Sequence, residues 1–150
     1  MIVFVKINLV HVPGNNPKVA AYRAWRLNRL INPNEADFRN SMKYLVAVYN
    51  MQVIASYCIH GVAPDTTGPT VKVKFSLADC SAACHKSLVQ AYNTVAANRN
   101  LNPLTAGYIS EAELNALNPA LMVNINRHCK CVRKNIPLMN EPKIGEPQKN

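Results

Sequence analysis

The stretch that most constrains the fold of this 150-residue chain lies between residues 42 and 77. Two runs rich in β-branched and aromatic residues meet at Asn50-Met51, where a two-residue hairpin can close. A third run alternates, with Val71, Val73, Phe75 and Leu77 on one side and Lys72, Lys74 and Ser76 on the other. Such alternation is typical of a strand with one buried and one solvent-facing side. The stretch therefore predicts a three-stranded antiparallel meander.

Helix signals flank this meander on both sides. Asn32-Pro33, followed by Glu35, predicts a helix over about 33–41, since asparagine can cap and proline suits the first helical position. Asp79 or Ser81 can cap a second helix, whose apolar residues at 84, 88, 92 and 95 follow helical spacing. Residues 2–10 and 104–109 are predicted to add strands. We expect an α+β fold, a small, mainly antiparallel sheet or partly closed barrel flanked by helices.

The last third of the chain is predicted to be helical. Ser110 and Glu113 form a capping-box pattern, and the helix that they open must end or bend at Asn118-Pro119. A further helix is expected there, with Leu121, Ile125, Val132 and Ile136 facing inward. Residues 1–136 are thus expected to form one domain, in which 110–136 are a helical extension, and residues 137–150 a flexible tail.

The charge balance bears on possible partners. The chain has 17 Lys and Arg residues against 8 Asp and Glu, which gives a net charge of +9. Such an excess is typical of proteins that attract phosphate-bearing partners, although it also aids solubility, and both interpretations stay open. No segment is apolar and long enough to span a bilayer, so we expect no membrane partner.

The five cysteines raise the question of a metal site. Cys80 and Cys84 share one helix face, but Cys129 and Cys131, on the predicted last helix, would point about 200° apart. We therefore expect no metal and no cofactor, and interpret the thiols, including Cys58 in its strand, as core packing. An odd number of cysteines and no signal-peptide pattern favour a reducing compartment over a disulfide framework, and a cytoplasmic location is predicted.

Catalysis is not favoured by the sequence. The four histidines are scattered without a partner signature, and the eight acidic residues show no cluster that would hold Mg²⁺ for a nuclease. The five glycines form no phosphate-binding loop. We therefore expect a protein that is not an enzyme.

The basic and aromatic residues are the remaining candidates for a site. Arg23, Trp25 and Arg26 place a stacking surface and two guanidinium groups within four positions, although Trp25 can equally anchor its segment to the core. Lys72 and Lys74 project from one side of a strand and can follow a phosphate backbone. The predicted nucleic-acid-binding set is Arg23, Trp25, Arg26, Arg29, Tyr57, Lys72, Lys74, Arg127 and Lys130.

Several short motifs resemble those of PUA-like domains, which are related to EVE and ASCH domains and occur in bacteria and phages. The matching residues are Trp25-Arg26-Leu27, Tyr44 to Asn50, Val53 to Ile59, Lys72 to Phe75 and Asn102-Pro103-Leu104. The resemblance covers about residues 20–109. It implies a compact, strongly bent β-barrel flanked by helices that binds nucleic acid in a bacterial or phage-infected cell, in some relatives through a flipped or modified base.

We therefore expect a nucleic-acid-binding protein, with RNA slightly preferred over DNA. An alternative is a sequestering or inhibitory protein of viral type that holds a small nucleotide or a host protein, and a third is a metal-dependent nuclease. A homo-oligomer formed through the C-terminal helices fits the second alternative in particular.

Overall fold

The computed structural model describes residues 1–8, 14, 16–22, 28–98, 106–131 and 136–138. Within these residues the strands are β1 (Ile2–Lys6), β2 (Tyr44–Tyr49), β3 (Gln52–Asp65), β4 (Lys72–Asp79) and β5 (Ala106–Ile109). The α-helices are α1 (Pro17–Ala21), α2 (Ala36–Ser41), α3 (Ala82–Asn98), α4 (Glu111–Leu117) and α5 (Pro119–His128). Two 3₁₀ turns, Asn28–Ile31 and Pro33–Glu35, lie between α1 and α2.

The five described strands form one open, mixed sheet in the order β4-β3-β2-β1-β5. The predicted meander is confirmed, since β2 pairs antiparallel with β3 and β3 with β4. The added strands are β1, which pairs in parallel with β2, and β5, which pairs antiparallel with β1. The fold is α+β as predicted, and the sheet does not close into a barrel.

The sheet separates two buried clusters because alternate residues of a strand face opposite sides. Ile2 and Phe4 of β1 pack with α3, α4 and α5 on one side, which we call the α3 side. Val3 and Val5 pack on the other, the α2 side, with Leu30 and Phe38 among others. Strands β1 and β2 are therefore apolar on both faces, as expected for strands covered by helices on two sides.

Helices α3 and α4 start at predicted caps, since Ser81 Oγ accepts from Cys84 N at 3.1 Å and Ser110 with Glu113 forms the full capping box. The helix predicted over 33–41 is divided. Asn32 Oδ1 accepts from Asn34 N at 3.0 Å and caps the 3₁₀ turn Pro33–Glu35, and α2 begins at Ala36 without a side-chain cap. The chain also breaks at Asn118, which caps α5. Among the described residues, no helix is long and apolar enough to cross a membrane.

Further details differ from the prediction. The first strand was predicted over residues 2–10, whereas β1 ends at Lys6. Val71 precedes β4 and is 42% exposed, so it does not continue the buried face of that strand. Helix α5 ends at His128, so Ile136 is not on it; Ile136 is buried on the α2 side instead, while Val132 lies outside the described residues. Pro137 and Leu138, expected in the tail, contact β3 through Val62, whose N donates to the Pro137 carbonyl at 3.2 Å.

The hairpin between β2 and β3 closes at the predicted Asn50-Met51. Both residues have positive φ, 50° and 65°, which is the pattern of a type I′ turn. Asparagine adopts this region readily because its short polar side chain can hydrogen-bond locally, whereas methionine has nothing to offset the steric cost of its Cβ. Met51 is 67% exposed, so its side chain gains little from packing there.

We predict that Met51→Gly stabilises the protein by about 0.5–1 kcal/mol, because glycine adopts positive φ without steric cost. Urea unfolding followed by circular dichroism measures the change. The control is Met51→Ala, which removes the same exposed side chain but keeps the Cβ. Equal stabilities for the two variants would contradict the explanation.

Candidate functional site

The two lysines of β4 project from the α3 side of the sheet. Val73 and Phe75, which alternate with them, are buried on the α2 side. Lys72 lies opposite Asp65 and Lys74 opposite Ala63 in the β3–β4 register, and both lysines are half-buried. Asp65 is itself buried and accepts from Thr67 Oγ1 at 2.7 Å. The sequence prediction that these lysines share one side of a strand is therefore confirmed.

The edge of β4 is contacted by the chain on both sides of the predicted arginine–tryptophan segment. Before that segment, the Tyr22 carbonyl accepts from Phe75 N at 2.6 Å. After it, the turn Asn28–Ile31 contacts β3 and β4. Arg23, Trp25 and Arg26 themselves lie outside the described residues, as does the side chain of Arg29. Both flanks of the segment thus contact the strand that carries Lys72 and Lys74.

Tyr57 is not available for stacking on a base. Its ring is on the α2 side of β3, only 5% of the residue is exposed, and Lys18 Nζ lies 5.5 Å from the ring centroid. Burial, with the negative charge of Asp79 as a smaller cause, raises the pKa of Tyr57 to about 12. The predicted stacking role needs an open ring face, so Tyr57 is not part of the surface proposed below.

Arg127 and Lys130 are exposed at the end of α5, which packs on the α3 side of the sheet. Cys131, the neighbour of Lys130, is bonded to Cys58 of β3, and Cys58 lies opposite Ala78 of β4. Lys74 is four residues from Ala78, or about 13 Å along the strand. The structure therefore places these two residues on the same side of the sheet as the β4 lysines, without a described contact between the two sets.

Most described acidic side chains already have a cation or a hydrogen-bond donor beside them. Asp79 pairs with Lys18 at 3.0 Å and Glu111 with Lys43 at 2.9 Å, while Asp65 and Glu113 accept the hydrogen bonds given above. The Lys43 hydrogen bond lowers the pKa of Glu111. Within the described part of the chain, no group of three acidic or histidine side chains converges as a nuclease metal site requires.

An open depression of about 430 Å³ lies near the start of β2, between α2 and α4. Its charged side chains are Asp37, Lys43 and Glu111. Lys43, the lysine that lines this depression, is paired with Glu111 and is therefore not available to bind a phosphate. The depression does not support the alternative that the protein sequesters a small nucleotide.

The C-terminal helices were predicted to support a homo-oligomer. Among the described residues of these helices, one large apolar side chain is exposed: Val123 of α5, which is 56% exposed. Single exposed apolar residues are common on monomers, so oligomer formation stays a prediction.

The cysteines contradict the prediction that the chain has no disulfides. Cys58 is bonded to Cys131 and Cys84 to Cys129, and Cys80 is free. The expectation of no disulfides was wrong because residues 129–131 follow the end of α5 and are not helical, so both cysteines reach the α3 side. Disulfides persist mainly in non-reducing compartments, which weighs against the predicted cytoplasmic location.

Cys80 lies beside the first disulfide. Its Sγ is 4.0 Å from Cys58 Sγ, and the sulphurs of Cys58, Cys80 and Cys131 all lie within 4.8 Å of one another. Burial raises the pKa of the Cys80 thiol, and a hydrogen bond with Ser56 opposes this shift. Ser56 Oγ is also 2.8 Å from His85 Nδ1. Cys58 therefore belongs to a cluster of one disulfide and one free thiol, and it is not only a packing residue.

The sequence contained part of the signal for this cluster. The closely spaced cysteines at 80 and 84 and at 129 and 131 are visible in the sequence. The end of α5 at His128 was not predicted, because no glycine or proline follows it directly. No sequence pattern indicated that Ser56 contacts His85, because this contact depends on how α3 packs against β3.

No protein-family model, curated protein or solved structure matches the chain. The resemblance to PUA-like domains therefore stays a prediction.

We predict that Cys84→Ser lowers the free energy of unfolding of the oxidised protein by roughly 4 kcal/mol, from the entropy of closing a loop of this length. The bridge joins residues 45 apart in sequence, from α3 to the end of α5. Urea unfolding without reductant measures the change, with Cys80→Ser as the control because Cys80 is in neither bridge. A loss no larger than that of the control would show that the bridge does not contribute.

We predict that the phenol of Tyr57 ionises with a midpoint near pH 12, because its buried environment disfavours the charged form. Since the unfolded ring ionises near 10, the stability that comes from the neutral ring is lost as pH rises from about 10 to 12. Absorbance titration of wild type minus Tyr57→Phe isolates this group. The comparison is Tyr108→Phe, at a 41% exposed tyrosine. A Tyr57 midpoint near 10 would contradict the prediction.

Proposed function

We propose that this protein is a non-enzymatic nucleic-acid-binding protein, with RNA slightly preferred over DNA. The surface would consist of Lys72 and Lys74 on β4 together with Arg23, Trp25 and Arg26, whose flanking residues contact the same strand. Arg127 and Lys130 would extend it on the α3 side.

The observation that carries the proposal is that the residues on both sides of the arginine–tryptophan segment contact β4. The chain enters this segment from Tyr22, hydrogen-bonded to Phe75, and leaves it through Asn28–Ile31, which contacts β3 and β4. Arg23 and Arg26, together with the β4 lysines, would neutralise phosphates, and Trp25 would stack on a base. The net charge of +9 supplies a long-range attraction for the same partner.

Binding of labelled single-stranded RNA, single-stranded DNA and duplex DNA by fluorescence anisotropy, at several salt concentrations, tests the proposal. Affinity is expected to fall steeply with salt. Lys72→Gln/Lys74→Gln should weaken binding and reduce the slope of log K against log salt by about 1.4 for a single strand, if each lysine neutralises one phosphate.

The matched control is Lys6→Gln, which removes one exposed lysine from β1, three strands away from β4. It should change binding much less than either single β4 substitution. Affinity that is independent of salt would overturn the proposal, and equal losses from Lys6, Lys72 and Lys74 would overturn the assignment of this surface.

A further inference from the structure

Three cysteines from three separate parts of the chain bring their sulphurs together on the α3 side. Cys58 is in β3, Cys80 follows β4, and Cys131 follows α5. Their sulphurs lie within 4.8 Å of one another, and among the described residues no other three metal-ligating side chains do so. The cluster does not coincide with the β4 lysines.

The spacing of the Cys58 and Cys80 sulphurs fits a tetrahedral metal site, and reduction of the Cys58–Cys131 bond frees the third sulphur to move to the same spacing. With zinc–sulphur bonds of about 2.3 Å, two thiolates on one zinc ion lie about 3.8 Å apart. The distance between Cys58 Sγ and Cys80 Sγ is 4.0 Å. Thiolate ligands select Zn²⁺ or Cu⁺ over Mg²⁺ and Ca²⁺.

The surroundings of Cys80 supply the support that metal-bound thiolates need. Ser56 Oγ lies 2.8 Å from His85 Nδ1, and a hydrogen bond from Ser56 favours the thiolate form of Cys80. Such outer hydrogen bonds orient ligands and tune their basicity. Cys80 and Cys131 are half-buried, which leaves an ion a route from solvent, whereas Cys58 is buried.

We propose that the reduced chain binds one Zn²⁺ ion through the thiolates of Cys58, Cys80 and Cys131. A water molecule or an external ligand would complete four coordination. The Cys58–Cys131 disulfide is the metal-free, oxidised state of the same site. A dithiol reductant converts this bond to two thiols and becomes a disulfide itself, and zinc binding then releases the thiol protons, up to three.

The site would keep the chain after α5 attached to β3 in either redox state. In the oxidised protein the attachment is covalent, and in the reduced protein the ion joins the same two cysteines while recruiting Cys80. This assignment is independent of the proposed nucleic-acid surface.

Titration of the fully reduced protein with Co²⁺ under anaerobic conditions tests the site. We expect one Co²⁺ per chain, with a thiolate-to-cobalt charge-transfer band of the intensity of three thiolates, and displacement by Zn²⁺. The oxidised protein, in which Cys80 is the one free cysteine, should show no such band. A reduced protein without the band, or an oxidised protein with an equal one, overturns the proposal.

Matched serine variants identify the ligands. Cys80→Ser removes a ligand without affecting either disulfide, and should lower the affinity at least tenfold and reduce the band to two thiolates. Cys84→Ser removes a nearby cysteine outside the cluster and should leave both unchanged in the reduced protein. The reverse result overturns the assignment. Circular dichroism of each reduced, metal-free variant verifies folding, and the comparison of the reduced and oxidised wild type decides the question without any variant.

Ser56→Ala tests the role of the outer hydrogen bond. It keeps all three thiols, so the band should keep the intensity of three thiolates while the affinity falls by about 10–100-fold. Unchanged affinity would show that Ser56 does not position Cys80.

Discussion

The parallel pairing of β1 with β2 is the constraint on which the rest of the structure depends. It places two short, largely apolar strands in the interior of the sheet, and each has hydrophobic side chains on both faces. Both faces must therefore be covered. The connection from β1 to β2 supplies α1, α2 and the 3₁₀ turns on one side, and the chain after β4 supplies α3, α4 and α5 on the other.

The length of β3 explains why the candidate sites lie where they do. β3 has 14 residues and β2 only 6, so the part of β3 beyond Cys58 pairs with β4 alone. That part has no β2 neighbour at its other edge, and the chain at Pro137 and Leu138 contacts Val62 there. The lysines of β4 lie on this two-stranded extension, and the cysteine cluster lies at its base.

Local signals were sufficient for much of this fold. The alternation at 72–77, the Asn50-Met51 turn and the caps at Asn32, Ser81 and Ser110 each act within a few residues, so their outcome could be read from the sequence. The parallel β1–β2 pair, the Cys58–Cys131 bond and the Ser56–His85 contact join residues far apart in sequence. Nothing in one sequence fixes such pairings, and the assumption that α5 continued past His128 concealed the cysteine cluster.

The chain after α5 passes from one helical layer to the other. Cys131 lies on the α3 side, whereas Ile136, five residues later, is buried on the α2 side, where its N donates to Asn40 Oδ1 at 2.7 Å. Both layers are thus completed by residues that follow α5 in sequence. A nascent chain that stops before residue 131 lacks contacts in both layers at once, so neither layer is complete until residues 131 and 136 have left the ribosome.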